Sequence, residues 1–110
     1  MTEEENYRNF INHVFRYNYE KQITSELKEM IISLINSTTS VRDQPTRTVI
    51  ALKMRFGLPP YSSKHTYKLI GEKFNKSKER IRQTLEKSYR QMRHISRSQE
   101  IRNYLGNIYD

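Results

Sequence analysis

Residues Thr66 to Ser98 read TYKLIGEKFNKSKERIRQTLEKSYRQMRHISRS, and the reading of this stretch decides the fold. Leu69, Ile70 and Phe74 fall at helical spacing on one apolar face, with Gly71 leaving room for the close approach of an incoming helix. Asn75-Lys76 then reads as a tight turn, since Asn tolerates left-handed backbone better than most residues. Ser77 offers its hydroxyl to the free amides of a second helix that begins at Lys78. In that helix Ile81, Leu85, Tyr89 and Met92 are spaced for one buried face, while Lys78, Glu79, Arg82, Gln83 and Lys87 point outward. The pattern predicts a helix-turn-helix whose second helix meets base edges in a major groove, because Arg, Lys, Glu and Gln carry suitable donors and acceptors. A basic amphipathic helix that is only a solvated face on a globular core is the competing reading of the same spacing.

Upstream, Asp43-Gln44-Pro45 reads as the opening of a helix with Val49, Ile50, Leu52, Met54 and Phe56 as its bulk, ended by Gly57 and Pro59-Pro60. Residues Pro59 to His65 read as a loop. Before it, Thr24 or Ser25 caps a helix carrying Leu27, Met30, Ile31, Leu34 and Ile35, which frays in the polar run Asn36 to Ser40. Thr2 caps a first helix with Glu3, Glu4 and Glu5 in its opening turn, favourable beside the positive end of the dipole. Tyr7, Phe10, Ile11, Val14 and Phe15 give that helix an aromatic-rich stripe through about Tyr17, better suited to the chain's own core than to a partner. Downstream, Ile101, Leu105 and Ile108 share one side of a final short helix from Ser98. The expected fold is therefore all-α, a small helical domain with a C-terminal helix-turn-helix and no winged elements. Residues 1–22 read as an N-terminal helical extension and 23–110 as the main domain.

Twenty Lys and Arg against twelve Asp and Glu give a net charge of +8, and no cofactor motif competes to explain it, so a polyanionic partner is expected. The absence of cysteine excludes disulfides and thiolate metal sites. His13, His65 and His94 lack metal-ligand spacing, no phosphate-cradling glycine loop is present, and an enzyme, a bound metal or a cofactor is not expected. Glu72, Glu79 and Glu86 recur at a seven-residue interval, which on helices marks ion pairing with Lys or Arg. The eight tyrosines are scattered at core-like positions and form no stacking platform for single strands. No apolar run is long enough for a membrane span or a signal peptide, which predicts a cytoplasmic protein.

The run GEKFNKSKERIRQTLEKSYRQMRHISRS, with its Glu-Arg-Ile-Arg-Gln core and Arg-His-x-Ser-Arg-Ser exit, resembles region 4 of the bacterial sigma-70 family. The resemblance extends to ALKMRFGL at Ala51 to Leu58 and, more weakly, from about Thr24 to Tyr104. It implies a transcription initiation factor that reads a minus-35 promoter element as duplex DNA and docks on the flap of the RNA polymerase β subunit. Lys78, Glu79, Arg82 and Gln83 stand where the family contacts bases. Arg47 and Arg55 match phosphate-holding positions, with Lys76 and Arg80 as further phosphate contacts. The family's apolar flap groove would draw on Leu27, Met30, Ile31, Leu34 and Ile50, each of which also suits plain core packing. Its activator-facing stripe lands on Lys87, Arg90 and Arg93.

The chain departs from the pattern at several points. Lys78 replaces the usual Arg and loses the bidentate fork. Tyr67-Lys68-Leu69 replaces a hydrophobic residue followed by two acidic ones, and Ile95 replaces a Pro. At this length the chain has no room for the regions that melt the minus-10 element, so it is expected to be one half of a split sigma factor, with a second protein supplying region 2, a phage-type specificity factor, or an excised domain. The alternative is a sigma mimic that occupies the polymerase and modulates transcription without reading sequence. Glu79 discriminates, because a carboxylate repels the DNA backbone and benefits only a base reader.

Overall fold

Four of the helices begin at a hydroxyl residue with extended backbone whose side chain accepts a hydrogen bond from an amide in the first turn. These caps are Thr2, Thr24, Thr66 and Ser77, each contributing about 1 kcal/mol. The computed structural model describes residues 2–38 and 47–109, the side chains at 95, 96 and 107–109 excepted. Its elements are α1 (Glu3–Phe15), α2 (Ser25–Asn36), α3 (Arg47–Phe56), α4 (Tyr67–Phe74), α5 (Lys78–Arg93) and α6 (Ile95–Tyr109). Among the described residues there is no strand, so the all-α expectation stands. The expected helix opening at Asp43-Gln44-Pro45 lies outside the described residues, as does the side chain of Ile108.

α5 is the axis of the molecule and packs against α1, α3, α4 and α6, while α6 also lies along α2. Ile81, Leu85, Tyr89 and Met92 of α5 are buried as their spacing requires. They join one continuous apolar cluster with Tyr7, Phe10, Ile11 and Val14 of α1 and Ile101 and Leu105 of α6. The first helix thus fills the chain's own core. The Phe10 and Phe56 rings meet edge to face, with centroids 5.1 Å apart, an arrangement that adds to the burial of both rings. Asn6, wholly buried, donates to the Gly57 carbonyl at 3.1 Å and so ties α1 to the end of α3. Gly57 ends α3 in the left-handed region, φ +68°, where an added Cβ would collide with the Ser63 backbone.

α1 stops earlier than its apolar stripe suggests, at Phe15, with Arg16 in left-handed backbone. The cause lies beyond the helix. The Asn12 side chain donates to the Tyr19 carbonyl at 3.2 Å and accepts from the Tyr19 amide at 2.7 Å, which folds the chain back on itself. The Ile23 amide then donates to the Glu4 carboxylate at 2.9 Å, and Tyr19 and Ile23 are themselves buried.

Two readings of the motif's first helix need correction. Leu69 is 48% exposed, not part of the buried face. On a helix this short the inward positions are Ile70, Gly71 and the half-buried Phe74, and Leu69 lies 100° around from Ile70. Gly71 does meet a close approach, but from the turn and not from an incoming helix: a Cβ there would lie 2.3 Å from the Lys76 carbonyl oxygen. The final helix also starts earlier than expected, directly after His94.

Candidate nucleic-acid interface

The motif's geometry grows from the turn. Asn75 takes left-handed backbone, φ 55° and ψ 47°, and the Lys76 amide donates to the Gly71 carbonyl at 2.8 Å. Ser77 then accepts from the Arg80 amide at 3.1 Å, which starts α5. Because α5 buries Ile81 and Leu85, its first two turns present the remaining positions to solvent: Lys78, Glu79, Arg82 and Gln83 are all exposed. All four residues of the expected base-reading set therefore share one free edge.

Within that edge two charges are already paired. Arg82 donates through Nε to both Glu79 carboxylate oxygens at 3.2 and 3.1 Å, and its terminal nitrogen makes a further short contact. These hydrogen bonds hold the Glu79 carboxyl below its ordinary range and push the Arg82 guanidinium above its own. The ion pairing expected at Glu79 is thus present.

Of the four expected phosphate contacts, three come together and one stands apart. Arg47 of α3, Lys76 of the turn and Arg80 of α5 are exposed and border one cavity between those elements. Arg55 is half-buried, donating to the His65 carbonyl at 3.2 Å with its guanidinium 4.0 Å from the centre of the Tyr67 ring, so it also braces the α3–α4 loop. Further along α5, Arg80, Gln83, Lys87 and Arg90 border a second, polar cavity of about 410 Å³.

The residues expected to meet the polymerase divide in the same way. Leu27, Ile31 and Leu34 are buried in the chain's own core, while Met30 and Ile50 are half-buried. Lys87 and Arg90 are exposed, but Arg93 is half-buried and donates to the Val14 carbonyl at 2.9 Å, where it satisfies the C-terminal end of α1. Arg97 donates to the Ser37 carbonyl at 2.7 Å at the end of α2, and Arg102 to the Arg93 carbonyl at 2.7 Å at the end of α5. Sequence reading assigned no role to Arg97 or Arg102, because a donor 60 residues from its carbonyl, as Arg97 is from Ser37, leaves no local signal. Thr48 and Thr84, which wall the cavity beside Arg80, likewise lie on two helices far apart in the sequence and carry no local signal.

A tight turn fixed by Gly71 and Asn75, ahead of a helix with one buried and one chemically varied edge, defines a helix-turn-helix protein. Residues 45–94, spanning α3 to α5, match the family described as Sigma-70, region 4. The chain is 35% identical over 79 residues to the RNA polymerase sigma factor SigA of Clostridium acetobutylicum, covering 72% of this chain and 19% of that protein. It is 36% identical over 77 residues to the RNA polymerase sigma factor RpoD of Neisseria gonorrhoeae, covering 69% of this chain and 12% of that protein. The chain thus spans less than a fifth of either relative's length. No solved structure gives a significant match. Residues 45–94 thus form a segment of the sigma-70 region 4 type. Among the described residues no helix is long and apolar enough to cross a membrane.

Proposed function

We propose that this protein is a transcription initiation factor that reads a minus-35-type promoter element as duplex DNA while docked on the flap of RNA polymerase, with a second protein supplying sigma region 2. One observation carries the reading. Lys78, Glu79, Arg82 and Gln83 stand exposed at the start of α5, on the edge opposite its buried face. In that position Glu79 accepts from a cytosine amino group, while Arg82 and Gln83 pair with guanine and adenine edges. Arg47, Lys76 and Arg80, which border one cavity, hold the phosphates that set register, and Arg55 adds a phosphate contact from the α3–α4 loop that it braces. Polymerase contact falls to the accessible parts of Met30 and Ile50, since their neighbours in the expected groove serve the core. Lys87 and Arg90 face an activator.

Selection from random duplexes tests the reading, with the wild-type chain assayed alone and together with polymerase. A promoter-like consensus is expected, and Glu79→Ala or Gln83→Ala should degrade it while Lys87→Ala leaves it intact. If the wild type enriches no sequence under either condition, base reading fails and the chain acts as a flap-occupying interaction protein.

A further inference from the structure

The cavity bordered by Arg47, Lys76 and Arg80 has a feature that phosphate binding does not require, an apolar floor. It measures about 300 Å³, the lower end of the range for small-molecule sites. Ala51, Ile81 and Leu85 are buried beneath it, and the half-buried Phe74 forms one wall. Phe74 reads from sequence as a core residue, and the face it leaves uncovered is the one turned to this cavity. Among the described residues no carboxylate lines the cavity. Among the described residues Arg47, Lys76 and Arg80 make no ion pair or side-chain hydrogen bond with one another or with any neighbour. Three such cations over an apolar floor suit a ligand with an anionic head and a compact apolar body, whereas a bare phosphate leaves the floor unused and a neutral hydrocarbon leaves the cations unused.

We infer that this cavity between α3, the turn and α5 binds a small organic carboxylate, its apolar body against Phe74 and Ile81 above the buried Leu85 and its carboxylate among Arg47, Lys76 and Arg80. An occupant takes the same cations that the proposed DNA complex offers to phosphates, so it displaces duplex. That consequence rests on the duplex-reading function; binding to the cavity does not.

Naphthoate is the probe, titrated into the full chain without DNA while the methyl signals of Ala51, Ile81 and Leu85 are followed by nuclear magnetic resonance. Saturable shifts at those methyls are expected, with the neutral analogue naphthalene methanol at least about tenfold weaker because it forfeits the charge-assisted contacts. Arg80→Gln should weaken naphthoate by a similar factor. Thr84→Met, which fills the cavity from its wall, should abolish the shifts in a chain whose circular dichroism shows it folded. The site is disproved if naphthoate produces no saturable shift at these methyls, if the alcohol binds as well, or if Arg80→Gln retains full affinity. Duplex binding measured without naphthoate tests the DNA reading separately. Where duplex binds and naphthoate saturates the cavity, unchanged duplex affinity overturns the displacement.

Discussion

Arg82 and Glu79 hold each other one turn apart on the free edge of α5, through hydrogen bonds of 3.1 and 3.2 Å from the Arg82 Nε to the two carboxylate oxygens. Both side chains are exposed, and a solvated pair of this kind adds little to the stability of the fold. In the proposed complex the pair sets the state in which the edge meets DNA. The carboxylate does not confront the phosphates as a bare charge, and the guanidinium is not free to settle on the nearest one.

Glu79→Ala should therefore act in two ways at once. It removes an acceptor for a base amino group, which should cut discrimination at that base by about five- to a hundredfold. It also releases Arg82, which should raise nonspecific affinity and steepen the salt dependence by close to one phosphate contact. Fluorescence anisotropy on cognate and scrambled duplexes across a salt series reads both. Equal losses on the two duplexes would refute base reading by Glu79.

Arg47 and Arg55 should separate under the same salt series. Arg47→Gln removes an exposed cation, so the slope of log affinity against log salt should fall by about 0.9 per phosphate lost, with an unchanged melting temperature. Arg55→Gln also breaks the hydrogen bond to the His65 carbonyl and the stacking on Tyr67, and should cost about 1–2 kcal/mol of stability. An unshifted melting curve for Arg55→Gln would deny it the bracing role.

Gly71→Ala should damage the motif although Ala is the better helix former. The added methyl carbon meets the Lys76 carbonyl oxygen at 2.3 Å, a backbone atom that cannot swing aside. A loss of about 1–3 kcal/mol in denaturant unfolding is expected. Asn75→Gly, at a left-handed position that Gly adopts without strain, should be nearly neutral. If Gly71→Ala were the harmless change of the two, the turn would not be as described.

Arg93 and Lys87 lie on one helix yet should respond differently. Arg93→Gln removes the donor from the Val14 carbonyl and should cost about 1–2 kcal/mol, measured by thermal unfolding. Lys87→Gln, at an exposed position, should stay within about 0.5 kcal/mol of wild type. A loss of activator response in Lys87→Gln without a change in melting temperature would support the role proposed for that side chain.

Much of this fold is legible from local rules. Ser77, Asn75 and the Ile81-Leu85-Tyr89-Met92 register follow from capping, left-handed tolerance and helical period, all of which act within a few residues. The outward edge of α5 follows from the same register. Leu69 misled because a short helix buries a narrow stripe, and periodicity cannot say which of two adjacent apolar residues lies inside it. The Asn12 hold on Tyr19, the Asn6 bond to Gly57 and the arginine donors at Val14 and Ser37 were out of reach, since each joins positions whose proximity exists only after folding. The same limit hid the apolar floor beneath Arg47 and Arg80, which takes residues from α3, α4 and α5 to build.

The exposed edge of α5 has a consequence for how such a protein can be changed. Among the described residues Lys78, Glu79, Arg82 and Gln83 make no side-chain hydrogen bond or ion pair outside their own edge, whereas the shape of the motif depends on Gly71, Asn75, Ser77 and the buried positions of α5. Address and chassis are separate sets of residues. Under the proposed duplex-reading function, recoding the four outward positions should redirect the protein to a different DNA sequence with little folding penalty, so that its target range is limited by chemistry at the groove and not by the tolerance of its core.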